Sequence, residues 1–196
     1  MLADGRKRSG YHRGESGVPG TGRRKRSAGR TRNVEPRELS IEEQREKARD
    51  IVVRQLAMMD RSRAQLAEAL ERRGICADVV DEILERFEEL GLIDDAHFAE
   101  VLTRTRFAEK GASRRAILAE LQRKGVARDL AEQALAQIDP EDELEAAVTL
   151  AMKKLRSTSG NPDTLTRRTY AALARKGFDP EQCSQALREA RVRLAE

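Results

Sequence analysis

Apolar residues return every three or four positions through most of this chain, and that spacing predicts helices. Ala48, Ile51, Val52, Leu56 and Met59 trace one stripe, and Ser40 with Glu43 three residues on opens it as a capping box. Ser62 caps a second helix that turns Leu66 and Leu70 inward and stops at Gly74. Asp78 opens a third, with Val79, Val80, Ile83, Leu84, Phe87 and Leu90 inward and Gly91 as its stop. The plan then recurs. Asp94 or Asp95 caps a helix carrying Phe98, Val101, Leu102, Thr105 and Ala108 up to Gly111. Ser113 starts the next, with Ile117, Leu118 and Leu121 up to Gly125, and residues 129–138 follow with Leu130, Ala131, Ala134, Leu135 and Ile138. Past Pro140, the residues Leu144, Ala147, Val148, Ala151, Met152 and Leu155 form the most regular stripe of all. A turn over Ser157–Asp163 leads to two further helices split by Gly177, with Pro180 in a first turn, where its missing N–H costs nothing.

One phrase punctuates this pattern. Leu121-Gln122-Arg123-Lys124-Gly125-Val126 is echoed by Leu70-Glu71-Arg72-Arg73-Gly74-Ile75 and by Leu173-Ala174-Arg175-Lys176-Gly177-Phe178. Each reads as a helix end: basic residues against the negative end of the dipole, a glycine free to turn left-handed, and an apolar residue folding back. Gly74 and Gly125 lie 51 residues apart, Gly125 and Gly177 lie 52 apart, and a fixed period of that size marks a repeat array. The expected fold is therefore all-α: three tandem three-helix modules at 39–91, 92–139 and 140–196. Modules of about fifty residues leave too much apolar surface wet alone, so they are expected to stack into an elongated array.

Composition changes the picture mainly at the N-terminus. Residues 1–38 hold seven of the thirteen glycines and almost no bulky apolar residue, so they are read as a disordered basic tail. Residues 1–36 carry ten Lys or Arg against three acidic residues, a net of +7, and the remainder has 28 basic and 31 acidic residues, a net of −3. The high pI thus belongs to the tail, where Arg23-Arg24-Lys25-Arg26 reads equally as a weak, nonspecific contact to DNA phosphates or as a solvated run with no specific partner. No apolar run is long enough to span a membrane, and the charged start lacks the apolar segment of a secretory signal. Cys76 and Cys183 are read as reduced fillers of helix faces in a cytoplasmic protein.

Candidate chemistry is sparse. Gly17-Val18-Pro19-Gly20-Thr21-Gly22-Arg23-Arg24 imitates a phosphate-binding loop but has arginines where Lys and Ser or Thr belong, and no strand precedes it. No zinc-ligand cluster and no nucleophile motif is present, so no cofactor and no metal are expected. His97 has no marked nucleophile beside it, and capping accounts for Asp94 and Asp95 without an ion. Catalysis is the weakest class, and binding remains. Direct nucleic-acid recognition through the arginine-rich helix ends competes with a protein-binding surface. The net negative charge of the helical part and the inward placement of Phe87, Phe98, Tyr170 and Phe178 favour the latter.

The ordered set of motifs resembles the RecX regulatory family. Ser62-Arg63-Ala64-Gln65-Leu66 is similar to that family's S-R-x-E-L opening, with Gln65 for the customary glutamate. Gly91-Leu92-Ile93-Asp94-Asp95-Ala96-His97-Phe98-Ala99 resembles its signature, with His97 where arginine or another polar residue is usual. Arg104-Thr105-Arg106, Lys110-Gly111 and the Leu121–Val126 phrase follow in order. The resemblance implies three three-helix modules. It also implies a non-enzymatic protein that lodges in the groove of the RecA filament on single-stranded DNA. Such a protein restrains RecA's ATPase, strand exchange and the co-protease activity behind the SOS response. Arg104, Arg106, Lys110, Arg114 and Arg115 form the expected contact ridge, flanked by Lys124 and Arg73.

Overall fold

The structure is a computed structural model that describes residues 39–157 and 160–196. The basic tail, with its expected disorder and its false phosphate loop, lies outside the described residues. Among those residues there are nine helices and no strand. The first group is α1 (Ile41–Met58), α2 (Arg63–Glu71) and α3 (Ala77–Glu89). The second is α4 (Asp95–Lys110), α5 (Arg114–Arg123) and α6 (Arg128–Leu135), and the third is α7 (Pro140–Ser157), α8 (Pro162–Arg175) and α9 (Pro180–Ala195). Each group closes over its own apolar cluster. Val52, Leu66, Leu70 and Leu84 lie in the first, Phe98, Ile117 and Leu121 in the second, and Val148, Leu173 and Phe178 in the third. Truncating any of these buried leucines to Ala costs about 2–5 kcal/mol.

Local chemistry sets the helix starts. Ser40 and Ser62 form full capping boxes with Glu43 and Gln65, and Ser113 accepts from Ala116 N. Asp94, not Asp95, caps α4. The third helix starts earlier than its acid suggests: Cys76 occupies the cap position without a side-chain bond, and Asp78 sits in the first turn. Three residues assigned to the helix stripes face out instead, among them Ala108 in the last turns of α4. Met59 follows the end of α1 in extended backbone, and Leu90 caps α3 one position past its last helical residue, Glu89.

The three repeated phrases end their helices alike. Ile75, Val126 and Phe178 are buried, and their N–H groups donate to Leu70, Leu121 and Leu173 O at 3.3, 3.1 and 3.4 Å. The glycines between adopt φ of +75°, +76° and +91°. Two of these turns then do something further. The α5 turn abuts the N-terminus of α2, where the Ser62 hydroxyl donates to Lys124 O. The α8 turn abuts the N-terminus of α5, where Ser113 N donates to Lys176 O at 3.0 Å. A carboxylate from the following module completes each junction: Asp95 accepts from Arg63 N at 2.8 Å, and Glu143 accepts from Arg114 N at 2.7 Å. A helix C-terminus meets a helix N-terminus, so opposite dipole ends face each other and orphan backbone groups are satisfied.

Candidate partner-binding surfaces

The seven cations of the expected ridge fall into two groups. Arg106, Arg115, Lys124 and Arg73 have internal work. Arg106 makes a two-pronged pair with Glu120 at 2.7 and 2.5 Å, both side chains about three-quarters buried, tying α4 to α5. That pair holds the Glu120 carboxyl below its ordinary range, chiefly through the hydrogen bond from Arg106. Arg115 Nε donates to Gly177 O at 3.0 Å, across the junction between the second and third modules. Lys124 is half-buried with its Nζ 5.8 Å from the centre of the Phe98 ring, the outer reach of a cation–π contact. Arg73 turns back to donate to Ala69 O at 2.8 Å, while its own carbonyl accepts from Lys47 at 3.2 Å.

Arg104, Lys110 and Arg114 are different. None of their side chains makes an ion pair among the described residues. Arg104 and Lys110 project from α4 into solvent, and Arg114 stands half-exposed at the start of α5, its backbone N–H already taken by Glu143. They are the ridge cations with charge to spare for a partner. Lys176 reaches Lys110 O and fixes the end of α4 against the third module, so these cations stand on a braced scaffold.

Two further surfaces carry no flag in the sequence reading. Six exposed cations of the third module, Lys153, Lys154, Arg156, Arg167, Arg168 and Arg175, make no ion pair among the described residues. The other lies between the end of α1 and the start of α4. It is a concavity of about 170 Å³ lined by Leu56, Asp60, Arg61, Leu92, His97 and Phe98 among others. The signal for it was present: Leu90 and Leu92 flank Gly91, and Met58 and Met59 are adjacent, so one apolar stripe cannot bury them all.

The carboxylates at the junctions serve as backbone acceptors. Burial pushes the Asp95 carboxyl above its ordinary value and outweighs the Arg63 N–H that pulls it down. The Cys183 thiol is likewise held up by burial in the third core, which keeps it protonated and unreactive. Among the described residues no group of His, Cys, Asp and Glu is arranged to hold a metal, and no helix is long and apolar enough to cross a membrane.

Comparison with known proteins matches each module in turn. The first, second and third three-helix domains of RecX match residues 48–87, 94–135 and 141–187. Regulatory protein RecX of Streptomyces coelicolor is 42% identical over 146 residues, 74% of this chain and 78% of that one. The Thermobifida fusca protein of the same name is 39% identical over 144 residues, 73% of this chain and 78% of its own. The crystal structure of RecX from Lactobacillus salivarius shares the fold, with a TM-score of 0.68 at 24% identity over 77% of this chain and 99% of that one.

Proposed function

This chain belongs to the RecX family, and from that premise we propose that it binds the RecA filament on single-stranded DNA and restrains RecA's ATPase, strand-exchange and co-protease activities. It thereby tempers recombination, DNA repair and the SOS response in the cytoplasm, as a binding protein without a reactive centre of its own. The observation that carries this reading is the match of all three modules in order, from residue 48 to residue 187. The braced junctions support it physically. Modules held in register contact successive subunits of a filament together, and several weak contacts then add through effective concentration.

Within that reading, Arg104, Lys110 and Arg114 meet acidic groups on RecA, while Arg73, Arg106, Arg115 and Lys124 shape the surface that presents them. The test is RecA ATPase on single-stranded DNA at two salt concentrations, with and without the chain. Reversing charge at Arg104 and Arg114 together raises the half-inhibitory concentration by about tenfold, a loss of about 1.4 kcal/mol. Unchanged inhibition by a well-folded double variant removes both residues from the interface, and a wild-type chain without effect on RecA refutes the function.

Direct DNA contact is a second, weaker activity. The +7 tail favours it, as do seven basic residues against one acidic residue between Lys153 and Lys176. Removing residues 1–36 leaves RecA inhibition intact and lowers salt-sensitive binding to free DNA. Loss of inhibition on truncation reverses the assignment.

A further inference from the structure

Half of the large apolar side chains exposed among the described residues sit in two short segments that border one concavity: Met58 (75% exposed), Met59 (56%), Leu90 (54%) and Leu92 (56%). Singly scattered apolar residues need no explanation, but a cluster beside a recess does. The recess holds about 170 Å³, room for one aliphatic side chain. Leu56, Leu92 and Phe98 supply its apolar wall. Arg61 lines it, and the Nε of that side chain is buried without an acceptor among the described residues. Leaving such a donor unpaired costs about 1–3 kcal/mol. Asp94 is spent capping α4, whereas the exposed Asp60 carboxylate on the rim makes no ion pair among the described residues.

These groups define their complement. Arg61 Nε requires an acceptor. Backbone carbonyls inside a helix are already taken, so the acceptor comes from an extended segment. Asp60 and the surrounding module favour a cation beside it, because residues 39–91 hold nine basic and thirteen acidic residues, a net of −4. The same field repels phosphates, and Phe98, only 7% exposed, offers no stacking platform, which argues against nucleic acid.

We propose that this recess seats one aliphatic side chain from an extended segment of the protein partner, with that segment's carbonyl accepting from Arg61 and an adjacent Lys or Arg meeting Asp60. The inference deepens the RecA reading and rests on it, and the test separates the two. Half-inhibitory concentrations against RecA ATPase are measured for the full-length wild type, Leu92→Glu, Asp60→Lys and Val192→Glu. Val192 on α9 is 60% exposed and remote in sequence from the recess, so it serves as the surface control. Leu92→Glu raises the value at least about tenfold, the scale of one lost anchor, Asp60→Lys raises it about three- to tenfold, and Val192→Glu leaves it unchanged. Helix content and thermal midpoint are recorded for each variant; if Leu92→Glu unfolds, Leu92→Ala and Asp60→Lys decide. A value for Leu92→Glu within about twofold of an active wild type overturns the recess alone, as does equal loss in Val192→Glu. A wild type without effect on RecA overturns both readings.

Discussion

The turn at Gly74 and the turns at Gly125 and Gly177 are written in the same residues, yet their surroundings differ. All three glycines take positive φ, and all three are followed by an apolar residue that folds back into its core. A methyl group at Gly74 would meet nothing within 4 Å among the described residues. At Gly177 it would stand 2.5 Å from Ser113 Oγ and 2.6 Å from Ala116 Cβ, and at Gly125 it would collide with Ala64 Cβ. The repeated phrase therefore encodes a turn, and only a second repeated element makes the turn into a joint. That element is a serine-capped helix start with a small residue behind it, at Ser62 with Ala64 and at Ser113 with Ala116.

Both ends of the series lack the complete joint. At Gly74 the preceding carbonyl, that of Arg73, is taken by Lys47 of the same module, where the inner turns use a serine of the neighbouring one. At α8 the cap is Asn161 and the first helical residue is Pro162, which has no N–H to match those of Arg63 and Arg114. The two joints also differ from each other. The second adds Arg115 Nε to Gly177 O and Lys176 Nζ to Lys110 O, so it carries more polar contacts than the first.

Alanine at the three glycines breaks this comparison most directly. Gly177→Ala costs about 3–4 kcal/mol, combining about 1–2 for left-handed backbone with the cost of overpacking against Ser113 and Ala116. Gly125→Ala costs about 2–3 kcal/mol on the same grounds with fewer groups in the way. Gly74→Ala costs about 1 kcal/mol, from backbone strain alone. Urea unfolding followed by circular dichroism measures all three. In Gly177→Ala the transition also broadens, because a repeat array loses cooperativity when an interface weakens. Equal losses at the three positions contradict the distinction between turn and joint.

What the sequence disclosed follows the range of the interactions. Ser40, Ser62 and Ser113 were legible as caps because the groups they satisfy lie three residues away. Cys76 was not, because its cap position carries no side-chain bond and Asp78 is the more familiar signal. Leu90 and Met59 were misplaced because a stripe read at 3.6 residues per turn says nothing about where the helix stops. The candidate cations were indistinguishable in sequence, and distant partners divide them: Arg106 is paired by Glu120, 14 residues on, and Arg115 by Gly177, 62 residues on. The joint itself had a legible trace in the recurring Ser-Arg at 62–63 and 113–114, but nothing local links those pairs to the glycines they meet.

Two carboxylates sharpen the contrast between a packed junction and a packed pair, with the smallest effects. Glu120 is held ionised by Arg106, so its folded pKa lies below the unfolded value. Its contribution is complete above the ordinary carboxylate range and is lost as pH falls through that depressed pKa. Asp95 is the reverse: burial raises its folded pKa, so the folded state takes up the proton first and gains stability as pH falls from the raised pKa toward the ordinary one. Glu120→Gln is therefore less stable than wild type at pH 7 by about 1 kcal/mol, and the gap closes in acid. Asp95→Asn keeps an oxygen for Arg63 N–H and sheds a buried charge. It lies within about 0.5 kcal/mol of wild type at pH 7, on the stable side, and that small advantage disappears below the carboxylate range. Stability–pH curves of the two variants subtracted from wild type should slope in opposite directions. Parallel slopes would mean that Asp95 is held at the junction by its charge and not merely by an acceptor oxygen.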